Sequence, residues 1–554
     1  MPQPARAMAD SNDLPVAAAA LLAARGVVGD KRFLRPRLAD LSCPFSIAGV
    51  REAAERLWAA ADGGELVCIY GDYDVDGVTS AVLLAEVLGA LGARVEMFVP
   101  RRLEEGYGLS RAGLERSLSG ARPDLLVAVD CGTTSVEEAE WLAEQGVDLV
   151  ILDHHEAGSE GMPLCVALVN PKVSGGHDYL AAVGVAFKVA HGMLKLRPDA
   201  VTRFDLKDQL DLVALGTVAD IVPLEEENRL LVRHGLVRLA AGKRPGLAEL
   251  KRLAGVNGRV GAQDIGFRLG PRINAAGRLD TATAACEMLL TKDHRRAREL
   301  AEMLEVLNRE RQLVERSITG QAMEAAAAQY AAGDKALVVH GEDWHPGVIG
   351  IIASRVMRRF HLPTVVIGFD DAGLGKGSAR SIEGVSLVEA LAACADMLVK
   401  GGGHAMAAGL TIEGGRIDEF ARRFKEHIAA TTDEAAFQPV IAPDLLVEPR
   451  EVNHNLLAAW ELLEPFGAGF PEPLLASVGL MPMSEPQVLR ERHIRFVFDT
   501  GQAAGGVDAI WFNGATEGDL PEPPWDVAYQ VQANEWQGVT RPQMVIRALR
   551  STPQ

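Results

Sequence analysis

Leu66-Val67-Cys68-Ile69-Tyr70 runs directly into Gly71-Asp72-Tyr73-Asp74-Val75-Asp76-Gly77, and the stretch from Thr79 to Leu91 that follows is apolar and helix-forming. A short unbroken apolar run closed by glycine and aspartates is the pattern of a strand buried on both faces. Three carboxylates then stand within five residues at the strand's end, the edge at which open α/β sheets bind ligands. Alternating Asp side chains in a tight turn can aim several hard oxygens at one cation. By itself the run fits a solvated acidic turn about as well. It is not an EF-hand loop, which needs a glutamate at its twelfth position.

Two segments further along repeat the arrangement. Leu125-Leu126-Val127-Ala128-Val129 is closed by Asp130-Cys131-Gly132, and Leu149-Val150-Ile151-Leu152 by Asp153-His154-His155. Helical patterns lie between the runs, over Val82 to Leu91 and Ser135 to Glu144. Alternating strands and helices predict an α/β fold with a parallel sheet, and place all these polar groups along one edge of it. Asp oxygens mixed with His nitrogens suit Mn²⁺, Mg²⁺ or Zn²⁺. No Cys-x-x-Cys spacing offers a closed structural zinc site.

The 554-residue length implies about three to four domains. No run of about 18 apolar residues is present, and Asp10 and Asp13 precede the Ala-rich Val16 to Ala24. A cytoplasmic protein with no membrane association is therefore expected. The six cysteines are isolated and mostly lie in apolar patterns, so buried thiols are expected. A net charge of −19 argues against a nucleic-acid substrate, whose phosphates need positive charge. Total charge is not local charge, however: Arg101-Arg102, Arg268, Arg272, Arg278, Arg355, Arg358-Arg359, Lys376 and Arg380 can line one groove with cations at its floor.

The chain divides into a lead-in segment (1–50), a first domain carrying every metal-ligand candidate (51–282), a helical connector (283–332), a smaller α/β domain (333–430) and a C-terminal domain of short alternating strands (431–554). Gly320 is the expected interruption of the connector, and Asn308, Arg309 and Arg311 on it are expected to face solvent. In the smaller α/β domain, Gly375-Lys376-Gly377-Ser378-Ala379-Arg380-Ser381 and Gly401-Gly402-Gly403-His404 are expected as glycine-rich turns forming an anion nest. The strand patterns after Thr431 suit an OB-fold, with Trp511, Phe512 and Trp536 as stacking groups; core packing is the expected role of at least two of these. The apolar helix Leu210 to Ala219 ends at Asp220, where the helix dipole disfavours an anion and so invites a cation.

Asp74-Val75-Asp76-Gly77, Asp130-Cys131-Gly132 and Asp153-His154-His155 resemble the signature motifs of the DHH phosphoesterase superfamily. Three longer segments narrow the resemblance to its RecJ family of single-strand-specific exonucleases: Pro271-Arg272-Ile273-Asn274-Ala275-Ala276-Gly277-Arg278-Leu279, Trp344-His345-Pro346-Gly347-Val348-Ile349-Gly350, and Gly401-Gly402-Gly403-His404-Ala405-Met406-Ala407-Ala408-Gly409. It runs from about Arg51 to the C-terminus. Phe470 departs from it, where the family more usually has Asn.

The resemblance implies a DHH domain, a linker helix, a DHHA1-type domain and an OB-fold-like domain, acting as a 5′-to-3′ exonuclease on single-stranded DNA in repair and recombination. It implies two ions, Mn²⁺ or Mg²⁺, about 4 Å apart, held by Asp74, Asp76, Asp130, His154, His155 and Asp220, with Asp130 bridging. Asp72 stays open between ligand and turn residue, and Asp153 is expected to orient a neighbouring His. Arg102, with Arg101 as competitor, Ser378 and Arg380 would grip a terminal 5′ phosphate. Arg278, Arg355 and His404 would hold backbone phosphates or polarise the scissile one. The bland alternative for Arg272 and Arg278 is pairing with Asp280 or with Glu residues of the linker helix. Single-strand-binding protein and a helicase are the implied partners of a monomer. Two other functions stay open from the residues alone: a small-molecule phosphodiesterase or oligonucleotide trimmer, and a non-catalytic DNA-binding scaffold.

Overall fold

In the computed structural model, which describes residues 9, 14, 16–27, 31–101, 104–106, 108–158, 161–279, 282–500, 506–536 and 538–553, the opening apolar run is a fully buried strand of a five-stranded parallel sheet. Its strands are β1 (Leu66–Gly71), β2 (Arg94–Phe98), β3 (Leu125–Val129), β4 (Asp148–Leu152) and β5 (Ala167–Val169), in the order β2-β1-β3-β4-β5. β2 was not expected: Arg94-Val95-Glu96-Met97-Phe98 alternates and is part-exposed, as an edge strand's residues are. The strand order reverses between β1 and β3, the switch point at whose carboxyl edge a crevice opens. Asp72 to Asp76 leave β1 there and Asp130 leaves β3 beside them.

The helix after β1 spans Val75–Leu91 and begins earlier than its apolar pattern does. Asp74 is its N-cap, accepting from the amides of Asp76 and Gly77 at 2.9 and 3.1 Å, so Asp76 belongs to the first helical turn and not to a loop. The glycines here are close-approach residues. A Cβ at Gly77 would lie 2.6 Å from the Asp72 carbonyl oxygen, and one at Gly277 would lie 2.5 Å from that of Tyr73.

A single helix, His294–Ala331, joins the first domain to the second. Leu300, Ala301 and Leu304 lie in the first core, while Ile318, Ala322 and Ala326 lie in the second. Gly320 does not interrupt it. Burying one Leu or Ile stabilises by about 1.5–3 kcal/mol, against about 1 kcal/mol for a helical glycine. The break falls instead at 291–293, between the helix Thr283–Leu290 and the Asp293 N-cap. Arg309 is exposed as expected, but Asn308 and Arg311 are buried: Arg311 pairs with buried Glu315 and donates to Asn308 at 2.9 Å.

The second domain carries the sheet β6 (Leu337–Glu342), β7 (Thr364–Phe369), β8 (Leu374–Arg380), β9 (Leu398–Gly403) and β10 (Ala407–Glu413), in the order β6-β7-β8-β10-β9. Both glycine-rich segments are therefore strands, and the expected turns and anion nest are absent from them. β8 is paired on both sides, by β7 and β10, so its amides are committed to the ladder. Its glycines make room for neighbours: a Cβ at Gly377 would lie 2.8 Å from the Leu410 side chain.

The C-terminal sheet has seven strands, β11 (Leu445–Leu446), β12 (Leu475–Leu480), β13 (Gln487–Leu489), β14 (His493–Phe498), β15 (Val507–Trp511), β16 (Trp525–Trp536) and β17 (Val539–Ser551), ordered β11-β12-β16-β17-β15-β14-β13. It is not purely β, since the helix His454–Leu463 packs into its core. So does the N-terminal helix Val16–Ala24, through Leu21 and Leu22. The lead-in segment thus completes a domain more than 400 residues away in sequence, fixed by Arg25 on Asp444. Phe470 is buried between Phe33 and Phe466, with Arg25 and Arg229 over its ring. Trp511 packs partly into the core and Phe512 is exposed; the side chain of Trp536 lies outside the described residues. Among the described residues, no helix is long and apolar enough to cross a membrane.

Candidate metal centre and adjoining cleft

Three strand ends and one helix end converge. His154 Nε2 lies 3.3 Å from Asp130 Oδ1, 3.5 Å from Asp220 Oδ2 and 3.9 Å from Asp76 Oδ2, and His155 Nδ1 is 3.9 Å from Asp130 Oδ1. Three sets of donor atoms fall within 4.8 Å of one another: Asp130 with His154 and His155, Asp76 with His154 and Asp220, and Asp72 with Asp74 and Asp130. Asp130 and His154 each belong to two of them. Asp130 has a left-handed φ of 63°, a conformation that Asp and Asn tolerate better than other side chains with a Cβ.

Each ligand candidate has its own support. Asp76 accepts from the amides of Ala182 and Val183 at 2.7 and 3.0 Å, so the N-terminus of the helix Ala182–Leu196 holds both its oxygens. Asp220 is the C-cap of Leu210–Ala219. Asp153 is buried and accepts from Thr133 N, Thr133 Oγ1, His154 N and, at 2.7 Å, His155 Nδ1. A carboxylate on Nδ1 keeps the proton there and leaves the Nε2 lone pair for a cation. Asn170 steadies this turn by donating to Thr133 Oγ1 and the His155 carbonyl.

A divalent cation fits this donor set. Asp76 and Asp130 are 1–2% exposed, and burial together with neighbouring carboxylates raises both well above the usual carboxylate range. Burial and Asp74 push Asp220 up to about 7. Burial, with the His155 charge, takes His154 down to about 3, and neither of its buried ring nitrogens has a hydrogen-bond partner among the described residues. Burial lowers His155 too, but the Asp153 hydrogen bond and charge outweigh it, so its pKa is raised overall.

These directions fix a pH dependence for the metal-free protein. A carboxyl whose pKa is raised on folding contributes stability that is whole below its unfolded value and lost as pH rises through its folded value. His155 acts in the same direction, whereas the opposing contribution of His154 is complete above about pH 6.5. In the presence of a chelator the thermal midpoint is therefore expected to fall from about pH 6.5 to pH 8. Saturating Mn²⁺ should remove most of that fall. A flat or rising midpoint in chelator would contradict this electrostatic account.

Beside the cluster lies a cleft of about 1420 Å³. The first domain contributes Ala219, Ile221, Asn274 and Arg278 to its lining, the linker helix Arg311, Glu315 and Arg316, and the second domain Arg355, Arg358, Lys376, Ser378, Arg380 and Lys400. Its eight cationic side chains face the single carboxylate of Glu315, so an acidic chain carries a basic groove. Glu315 is buried and pairs with both Arg311 and Arg355, which fixes Arg355 in the wall. Arg278 donates to the Gly347 carbonyl at 2.6 Å. Arg380 donates to Ser378 Oγ at 3.1 Å and to the Ala379 carbonyl at 2.7 Å. Burial lowers its pKa and no carboxylate pairs with it among the described residues. Gly350 leaves its space: a Cβ there would lie 3.2 Å from Arg380 Nη2.

Not every expected residue joins this arrangement. Arg102 lies outside the described residues, and Arg101 is exposed and paired with Glu104. His404 is exposed on the β9–β10 hairpin, whose Gly401 and Gly402 line the cleft while His404 itself does not. Arg272 pairs with Glu305 of the linker helix at 2.7 Å, the structural alternative considered for it. Asn274, within the Pro271-to-Leu279 motif, accepts at its Oδ1 from Val75 N at 3.1 Å and so holds the turn bearing Asp74 and Asp76. Thr133, Asn170 and Glu315 had no local signal, because their partners are brought in by the tertiary fold.

A parallel sheet with Asp and His side chains clustered at its switch point, joined by one helix to a smaller sheet domain, defines a DHH-type protein. The family profile described as DHH family, N-terminal domain, matches residues 66–217; the DHHA1 domain matches 333–430 and the RecJ OB domain 443–548. The chain belongs to the RecJ family. It is 37% identical over 540 residues to the single-stranded-DNA-specific exonuclease RecJ of Bacillus subtilis, covering 96% of this chain and 67% of that one. The crystal structure of RecJ with Mn²⁺ from Thermus thermophilus superposes with a TM-score of 0.85 at 33% identity, over 100% of this chain and 78% of that one. The structure with Mg²⁺ from the same organism gives 0.79 at 30% identity, covering 100% and 77%.

Proposed function

We propose that the chain is a metal-dependent exonuclease that hydrolyses single-stranded DNA from its 5′ end. The observation that carries this reading is the Asp/His cluster beside a cleft lined by eight cations and one carboxylate. Asp74, Asp76, Asp130, His154, His155 and Asp220 would hold Mn²⁺ or Mg²⁺, with Asp72 an added donor next to Asp130. Bound divalent cations supply Lewis acidity and charge neutralisation for in-line phosphodiester hydrolysis.

The chain's own residues do the rest. Arg278 and Arg355, fixed by the Gly347 carbonyl and by Glu315, hold backbone phosphates across the cleft. Asp153 keeps His155 in one tautomer. Ser378 and Arg380 face the cleft from a rigid central strand and take the terminal phosphate. By family resemblance Arg102 assists them and His404 acts on the scissile phosphate. The same resemblance extends the proposal to a cytoplasmic monomer working beside a single-strand-binding protein and a helicase.

A cleft walled by two domains and the helix joining them should admit one strand and exclude a duplex. With Mn²⁺ or Mg²⁺, a 5′-labelled single strand is expected to release its label first, as mononucleotide; a blunt duplex should react far more slowly, and chelator should stop both. Equal rates on duplex and single strand would overturn the substrate reading. Earlier release from a 3′ label would overturn the polarity.

A further inference from the structure

We propose that Asn228 is a positioning residue of the metal centre, tying the segment that follows Asp220 to the segment whose amides hold Asp76. This rests on the metal-binding reading of the cluster. Asn228 is fully buried in the first turn of the helix Glu226–Ala241. Its Nδ2 donates to the Tyr179 carbonyl at 2.5 Å and to the Pro223 carbonyl at 3.0 Å. Carbonyl oxygens only accept, so the amide's orientation is fixed by its two partners. Its Oδ1 is left buried with no hydrogen-bond partner among the described residues, an arrangement that is costly to keep.

The two carbonyls belong to opposite sides of the site. Tyr179 lies three residues before Ala182, and the amides of Ala182 and Val183 hold both oxygens of Asp76. Pro223 lies three residues after Asp220. Asp76 and Asp220 are two of the three carboxylates around His154 Nε2, at 3.9 and 3.5 Å, with Asp130 the third at 3.3 Å. The two sides also meet at Gly216, one turn before Asp220: a Cβ there would lie 2.8 Å from both Asp76 Oδ1 and Val183 Cγ1. The separation of the two segments therefore sets the separation of the two carboxylates.

Asn228 is itself held from both neighbouring positions. Glu227 pairs at 2.8 Å with Lys188 on the helix that Ala182 begins. Arg229 donates to the carbonyls of Leu463 and Pro465 in the C-terminal domain. The segment after Asp220 is also held from that domain, since Leu224 N donates to the Ala468 carbonyl at 2.7 Å.

Residues that orient metal ligands typically alter affinity by about 10–100-fold when removed. The test is calorimetric titration of the full chain with Mn²⁺, backed by the electron paramagnetic resonance signal of free Mn²⁺, alongside thermal melts in chelator. Asn228→Ala should weaken Mn²⁺ binding about 10–100-fold, and Asn228→Ser, which keeps one donor, by less. Arg233→Ala is the control. Arg233 is half-buried nearby and donates to the carbonyls of Leu462 and Glu464, so its loss should lower the melting temperature with Mn²⁺ affinity unchanged. Unaltered affinity in Asn228→Ala, or equal weakening in Arg233→Ala, overturns the role. If Asn228→Ala does not fold, unaltered affinity in Asn228→Ser overturns it. Failure of the wild-type chain to bind Mn²⁺ would instead remove the metal-binding reading on which it rests.

Discussion

Asp130→Asn is expected to lower kcat on single-stranded DNA by about 10²–10³. A cation contributes several kcal/mol to neutralising charge in the transition state, and each 1.36 kcal/mol is a factor of about ten. Asp130 belongs to two of the three donor sets, so its loss disturbs both. Asn is the right replacement because the backbone there is left-handed at φ 63°, which Ala tolerates less well. The same variant should melt higher than wild type in chelator, since one of several mutually repelling buried carboxylates has gone. Loss of activity with a raised metal-free midpoint separates a ligand from a fold determinant. Near-normal turnover would sink the site assignment.

Asp76→Ala is a less clean experiment than the sequence suggests. From carboxylate crowding alone, Asp76→Ala and Asp130→Ala are each expected to abolish hydrolysis and spare the fold. The structure shows the Asp76 carboxylate accepting from Ala182 and Val183, so removing it strips a helix N-terminus of its acceptor as well as a cation of its ligand. Part of any activity loss would then report stability, at about 0.5–2 kcal/mol for a lost cap.

Where a local pattern decides structure, the sequence was legible. Unbroken apolar runs marked β1, β3 and β4, and the polar residues ending them meet in space because a parallel sheet brings its carboxyl ends to one edge. Asp220 was legible as an anion at the wrong end of a helix. What escaped were features set by distant contacts. Glycine composition cannot separate a turn from a strand crowded by its neighbours, so β8 and β9 were expected as loops. Val16–Ala24 is apolar on most sides, but nothing local says that its partner is the helix His454–Leu463. Arg311 looked solvated because its partners, Asn308 and Glu315, lie on the same helix and are buried only once the second domain packs there. The orienting groups Thr133, Asn170 and Asn228 follow the same rule: each acts through partners that only the folded chain brings within reach.

Arg380→Ala is expected to weaken capture of 5′-phosphorylated strands about 10- to 100-fold while changing little for 5′-hydroxyl strands. Arg380 sits at the end of β8, opposite Ala407 on one side and Thr364 on the other, so its backbone is held by pairing on both edges. One arm of the guanidinium is engaged by Ser378 Oγ and the Ala379 carbonyl, which leaves the other donors for an incoming anion. A part-buried cation with no carboxylate partner is favourable only when something negative arrives. A hydrogen bond to a charged group contributes about 1.5–3 kcal/mol, which is the stated range in affinity. Arg380→Lys should recover only part of the loss, because an ammonium cannot reproduce the guanidinium's paired donors. The measurement is initial rate at subsaturating substrate for both strand ends. An equal fall for the two would assign Arg380 to the backbone or to the fold, because only the phosphorylated end presents the additional charge.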